Sequence, residues 1–282
     1  MDTAPWPIRL LNHRLSGKRV PVNKKLSIVV PCYNESKNLD RLVSAFRDAI
    51  GKRADIELIL VDNGSKDDTP SVMNELLARP ENAFARSVCV EVNQGYGYGI
   101  LYGLKAGRGE FLAWTHADLQ TPPEDVIRAL DCIQRMPDPQ RSLVRGHRKG
   151  RPFFDQFFTS AMGWVASAAL GGSYFDVNAQ PKVFHHSLMN HLDDAPYDFT
   201  LDLYLLYVAE KLDLDIQLVN VRFDLRTEGE SKGGGTLAGK YRLCKRTFSQ
   251  IWKLRQALKT APPQLAPQAT TTDESYEKRS AA

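Results

Sequence analysis

Short apolar runs return through the first 150 residues of this chain, and each one stops at a cluster of polar residues. LSIVVP (26–31), IELILV (56–61), SVCVEV (87–92), GEFLAWT (109–115) and SLVRG (142–146) have the length and β-branched content of buried strands. Between them lie stretches of helical periodicity. Asn34, Glu35 and Ser36 open one that runs to about Ile50, with Leu39, Leu42, Val43 and Phe46 on one face. Others start near Asp68, span about 97–107, and run from Pro122–Pro123 to about Arg135. Strands and helices that alternate this closely form an α/β fold, with a mostly parallel central sheet and helices on both faces.

Such sheets bind ligands beyond the carboxyl ends of their strands. Polar residues collect at those ends here: Tyr33–Glu35, Asp62–Ser65, Asn93–Gly95 and His116–Gln120. In the last cluster His116, Asp118 and Gln120 fall at alternate positions, which an extended chain puts on one side. They offer a divalent cation one nitrogen and two oxygen ligands, with phosphates to complete its shell. The neutral imidazole suits Mn²⁺ better than Mg²⁺. Asp118 also has a purely structural use, as a cap for the helix that follows. Asp62 suits a nucleobase or ribose, or an Asx turn beside Asp67 or Asp68 as helix cap. NQGYGYGILYG (93–103) looks like a phosphate cradle but does not match G-x-G-x-x-G, and its glycines fit a close backbone approach instead. In VRGHRKGR (144–151), Arg145, Arg148, Lys149 and Arg151 make either a phosphate grip or a solvated basic loop.

The second half of the chain is less regular. DFTLDLYLLYVAE (198–210) reads as an amphipathic helix, and DIQLVNVRF (215–223) alternates like a half-exposed strand. The chain divides into a basic N-terminal arm (1–24), one α/β domain (25–235), a basic amphipathic helix (236–260) and a disordered tail (261–282). In the 237–260 helix, Tyr241, Cys244, Phe248, Ile251, Trp252 and Leu258 share a face beside many Lys and Arg, a pattern that suits an anionic bilayer surface or a packed helix with a wet edge. The uncharged run 156–175 contains too much Gln, Thr, Ser and Gly for a membrane span and is expected to pack on the domain or lie on a membrane. Cys32, Cys89, Cys132 and Cys244 lie far apart, which excludes a C-x-x-C zinc site and favours a reducing compartment. With a net charge of +4 and no apolar leader, the expectation is a cytoplasmic protein that does not bind nucleic acid.

Taken in order, the motifs resemble those of the inverting family 2 glycosyltransferases of the GT-A fold, and most of all the dolichyl-phosphate mannose synthase group of polyprenyl-phosphate sugar transferases. SIVVPCYNESKNL is similar to the family's V-P-x-Y-N-E, ELILVDNGSKDDT to V-D-D-G-S-x-D-x-T, and THADLQTPPE to D-A-D-L-Q-x-P-P. RGHR stands for G-S-R, YFDVNAQPKVF for an aspartate and the segment after it, and RTEGESK for R-x-x-G-E-S-K. The resemblance spans residues 26–235. It implies that Pro31, Tyr33, Glu35 and Asp62 surround a UDP- or GDP-sugar, and that Asp118 and Gln120, with His116, hold Mn²⁺ or Mg²⁺. It further implies that Arg148 meets phosphate, and that Asp176 and the Arg226–Lys232 loop close the acceptor side. The acceptor is then a polyprenyl phosphate reached from the cytoplasmic face by peripheral contact. The alternatives are a saccharide hydroxyl in cell-envelope polysaccharide synthesis, or a non-catalytic nucleotide-sugar-binding subunit. A hydroxyl acceptor needs a base, for which Asp176, Asp198 and Asp202 are the candidates. His116 departs from the pattern by replacing the first aspartate, which removes one negative charge from the metal site.

Overall fold

The structure, a computed structural model, describes residues 24–150, 153–222, 237–260 and 263. Strands β1 (Lys24–Cys32), β2 (Ile56–Asn63), β3 (Ala85–Val90), β4 (Gly109–Trp114), β5 (Ser142–Lys149), β6 (Lys182–His185) and β7 (Asp215–Arg222) form one sheet in the order β3-β2-β1-β4-β6-β5-β7. All its pairings are parallel except those of β6, which runs antiparallel to both β4 and β5. The helices are α1 (Leu39–Ile50), α2 (Thr69–Leu77), α3 (Tyr96–Ala106), α4 (Pro123–Gln134), α5 (Phe153–Leu170), α6 (Leu201–Lys211) and α7 (Leu237–Thr260).

The central strands are apolar at nearly every position because both faces of the sheet are covered. Leu26, Ile28, Val30, Leu58 and Leu60 pack with α1, α2 and α4 on one side. Val29, Ile59, Val61, Leu112 and Trp114 pack with α3 and α6 on the other. A strand's period of two thus feeds two cores at once. The glycine-rich stretch makes close approach its purpose. A Cβ on Gly97 would collide with the carbonyl oxygen of Pro196, and one on Gly103 with Val29 and Val61. The Tyr197 carbonyl accepts from the amides of Gly97 (2.8 Å) and Tyr98 (3.2 Å). The first turn of α3 therefore binds protein backbone rather than phosphate.

Several expected elements shift. The helix expected from Asn34 begins at Leu39, because the loop after β2 claims the preceding residues. The Glu35 amide donates to Thr69 Oγ1 (2.8 Å), the Ser36 amide to Asp67 Oδ2 (3.3 Å), and Asn34 is left-handed at φ 57°. The third strand lies two residues earlier than its apolar run. β6 was not expected at all. The 156–175 run becomes α5, packed against α7, and among the described residues no helix is long and apolar enough to cross a membrane. In α7 the expected single apolar face divides: Ile251, Leu254 and Leu258 are buried, while Phe248 and Trp252 are 53% and 50% exposed.

Candidate active site

The parallel strands β1, β2, β4 and β5 end on one rim, and β6, running the other way, begins there with Lys182. The polar clusters expected at strand ends therefore do share an edge. Asp62 lies opposite Cys32 on one side and Cys89 on the other. Its Oδ1 accepts from the Ser65 amide (3.0 Å), so the turn after β2 is closed by Asp62 itself. Asp67 serves the next corner, taking the amides of Thr69 (3.0 Å) and Ser36. Partial burial opposes its charge, but the Thr69 and Ser36 donors outweigh it and hold the carboxyl at about 2. The Asp68 side chain makes no cap bond. Pro31 pairs with Val61 at the strand end, Tyr33 is partly exposed beyond it, and Glu35 Oε2 accepts from Asn38 Nδ2 (2.7 Å).

The chain beyond β4 is a turn rather than an extended continuation. The carboxylate of Asp118 accepts from the Gln120 amide (3.1 Å), and Leu119 between them is left-handed at φ 54°. A bulky residue in that region marks a backbone held by its surroundings. α4 has no side-chain cap, so capping is not the role of Asp118. Asp118 and Gln120 both remain partly exposed at the rim. Among the described residues no three His, Cys, Asp or Glu side chains converge as a metal cluster. A carboxylate and an amide oxygen on an accessible turn still fit a hard divalent cation that takes its other ligands from water and phosphate.

His116 sits deeper than its neighbours. Its Nε2 lies 3.0 Å from the Tyr96 hydroxyl, and the two rings meet edge-on with centroids 5.7 Å apart. Burial pushes the imidazole below its ordinary value, so it is neutral at pH 7. Behind it lies a network that sequence reading missed. Gln180 Nε2 reaches both the Tyr96 hydroxyl (3.4 Å) and Asp202 Oδ1 (2.9 Å). Asp202 Oδ1 is ion-paired to Lys182, which is 0% exposed and donates also to the carbonyls of Val177 (2.9 Å) and Ala179 (3.2 Å).

The expected basic grip is divided among different tasks. Arg148 clamps Asp176, with Nε at 2.8 Å and its backbone amide at 2.8 Å from the carboxylate. Arg145 is buried, stacks 4.4 Å over the Phe175 ring and donates to the carbonyls of Phe175 (3.0 Å) and Asp176 (3.2 Å). Lys149 is exposed. The three candidate bases are all engaged. Asp176 holds Arg148, and Asp202 holds Lys182. Asp198 accepts from the Thr200 amide (2.9 Å) and, through Oδ2, from Gln250 of α7 (3.0 Å). Arg151, Arg226 and Lys232 lie outside the described residues.

A mostly parallel sheet with its ligand rim at the carboxyl ends and an acidic turn after β4 is the GT-A architecture of glycosyltransferases. Solved structures share it. A glucosyl-3-phosphoglycerate synthase from Mycobacterium tuberculosis, in complex with Mn²⁺, UDP and glucosyl-3-phosphoglycerate, matches with TM-score 0.60 at 19% identity, covering 83% of this chain and 79% of that one. A Pyrobaculum calidifontis mannosyltransferase in complex with GDP-Man and Mn²⁺ matches with TM-score 0.59 at 15% identity, covering 86% and 67%. At such identities the likeness is one of fold. Residues 27–160 match the glycosyl transferase family 2 model, and the chain belongs to that family. Among curated relatives, a dolichol-phosphate mannosyltransferase of Mycosarcoma maydis is 27% identical over 244 residues, 80% of this chain and 79% of its own. An undecaprenyl-phosphate 4-deoxy-4-formamido-L-arabinose transferase of Shewanella sediminis is 36% identical over 214 residues, 74% of this chain but 62% of its own length.

Proposed function

We propose that this glycosyltransferase moves a hexose, with inversion, from a UDP- or GDP-sugar to a polyprenyl phosphate. The observation that carries the acceptor class is the engagement of Asp176, Asp198 and Asp202. A hydroxyl acceptor must lose a proton to a base as it attacks. A lipid phosphate is anionic at pH 7 and needs none. The relatives named for dolichol phosphate and undecaprenyl phosphate agree with this reading.

The residues divide the work along the rim. Asp62, Glu35, Tyr33 and Pro31 seat the nucleoside. Asp118 and Gln120 would hold Mn²⁺ or Mg²⁺, which when bound draws charge from the departing diphosphate. Arg148, kept straight by Asp176, presents the acceptor side with a guanidinium of fixed direction. Phe248 and Trp252, exposed beside Lys245, Arg246 and Lys253 on α7, supply a peripheral contact with an anionic membrane from its cytoplasmic face.

The test is transfer of radiolabelled sugar in the presence of polyprenyl phosphate. Label in the organic-extractable fraction is the expected result. Label confined to water-soluble or polysaccharide material would move the acceptor to a hydroxyl, and nucleotide binding without turnover would leave a binding subunit.

A further inference from the structure

The residue that replaces a carboxylate at the rim, His116, is held by a buried chain of hydrogen bonds whose polarity can be followed. Lys182 donates to Asp202 Oδ1, and so does the Gln180 amide (2.9 Å). The carboxylate can only accept, so the Gln180 nitrogen is the atom facing it. That same nitrogen lies 3.4 Å from the Tyr96 oxygen, on which it acts as donor. With an acceptor sector of the phenol occupied, its proton points to the remaining close neighbour, His116 Nε2 at 3.0 Å. A ring nitrogen that accepts carries no proton, so the imidazole proton sits on Nδ1. Nδ1 is the nitrogen nearer the backbone of the 116–120 turn, and no hydrogen bond to it arises among the described residues.

We propose that Tyr96, Gln180, Asp202 and Lys182 fix His116 as the Nδ1–H tautomer, so that it donates a hydrogen bond to a diphosphate oxygen of the sugar nucleotide instead of ligating the metal. The proposal rests on the reading of the rim as a metal–diphosphate site. It replaces the expectation that an imidazole here binds Mn²⁺. Both Nε2 and Nδ1 are then unavailable as lone-pair donors to a cation, and the protein's share of the metal shell is Asp118 and Gln120. A neutral N–H aimed at an anionic oxygen supplies what the missing carboxylate could not, since a second carboxylate would repel the diphosphate unless a metal stood between them. It also removes the nitrogen ligand that would favour Mn²⁺ over Mg²⁺. Tyr96 is a positioning residue in this account. Its ring stacks on Phe199 at 4.7 Å, so Tyr96→Phe keeps the packing and deletes only the hydroxyl.

The tautomer is read directly from the ¹⁵N shifts and long-range ¹H–¹⁵N couplings of His116 in the full-length, metal-free protein at pH 7.5, with His116→Gln for assignment. The expected pattern is a protonated Nδ1 and a bare Nε2, changing to a mixture in Tyr96→Phe. A protonated Nε2, with the phenol turned toward Asp202 instead, would overturn the proposal. Electron spin-echo spectroscopy of Mn²⁺ with UDP or GDP and the wild-type protein supplies the second measurement. Bound Mn²⁺ without histidine ¹⁴N coupling is expected, and bound Mn²⁺ with that coupling would overturn the proposal while leaving the metal–diphosphate site intact. Failure of Mn²⁺–nucleotide to bind at all would instead sink the reading of the rim. In Tyr96→Phe the affinity for UDP or GDP should fall about fivefold with Mg²⁺ and Mn²⁺ alike, the size of one net hydrogen bond. A loss seen with Mn²⁺ alone would contradict the donor role.

Discussion

Replacing Lys182 with Met should destabilise the protein severely, although the position lies in no helix and touches no solvent. Lys182 is 0% exposed and its partner Asp202 1%. The substitution keeps most of the side-chain volume and leaves the Asp202 carboxylate in the interior with only the Gln180 amide for company. The carbonyls of Val177 and Ala179 lose their donor at the same time. Breaking a buried pair from one side costs about 3–5 kcal/mol. For a chain of this size each kcal/mol moves the melting temperature by about 2–4 °C, so the fall should be roughly 6–20 °C. Replacing both partners with apolar residues removes the stranded charge, and Lys182→Met with Asp202→Leu should regain most of the loss. Circular dichroism melts of wild type, both single variants and the double variant complete the cycle. A Lys182→Met protein that melts with wild type, or a double variant whose loss equals the sum of the singles, would refute the reasoning.

Three further outcomes follow from the packing and charge arrangement. Gly97→Ala should cost about 1–3 kcal/mol by forcing α3 off the 196–198 segment, while Gly150→Ala, with nothing within 4 Å but φ at 77°, should cost only the left-handed strain of about 1–2 kcal/mol; urea midpoints separate the two. Burial opposes the Glu57 charge, but Arg86 (2.9 Å), Ser27 (2.6 Å) and the Arg108 amide (3.0 Å) outweigh it and hold the carboxyl below its ordinary 4.5. A depressed carboxyl contributes stability that is complete above 4.5 and lost as pH falls through the lower folded value, so melting temperature should drop on acidification over that window and drop less in Glu57→Gln. Asp198→Asn should retain transfer within about tenfold, as measured by initial rates, whereas loss of a general base would cost about 10²–10⁴-fold.

The parts of this fold that local pattern reveals are the buried ones. β1, β2 and β4 lie at the centre of the parallel half of the sheet, apolar on both faces, and their runs stand out against any background. β3 is an edge strand with alternate residues wet, so its apolar run marks its register poorly. β6 is four residues long and opens with a lysine, so nothing in its composition announces a strand between two others. The start of α1 moved because bonds to Thr69 and Asp67, more than thirty positions away, decide where the backbone can turn. The rim itself was legible from Asp62, His116, Asp118 and Gln120, since each follows an apolar run. The network behind it was not. Tyr96 meets Gln180 across 84 positions and Asp202 meets Lys182 across 20, and no spacing rule connects them. Lys182 alone carried a signal, as a cation flanked by Val183 and Phe184 in a stretch otherwise suited to burial.

The account stands on the rim beyond β1, β2 and β4 as a site for a nucleoside diphosphate held through a divalent cation at Asp118. Isothermal titration of UDP and GDP into the wild-type protein and Asp118→Asn, each with Mg²⁺, with Mn²⁺ and with chelator, measures this directly. Binding of at least one nucleotide that needs the cation in the wild type and is lost in Asp118→Asn is the predicted result. Binding that ignores both the chelator and the substitution would contradict it.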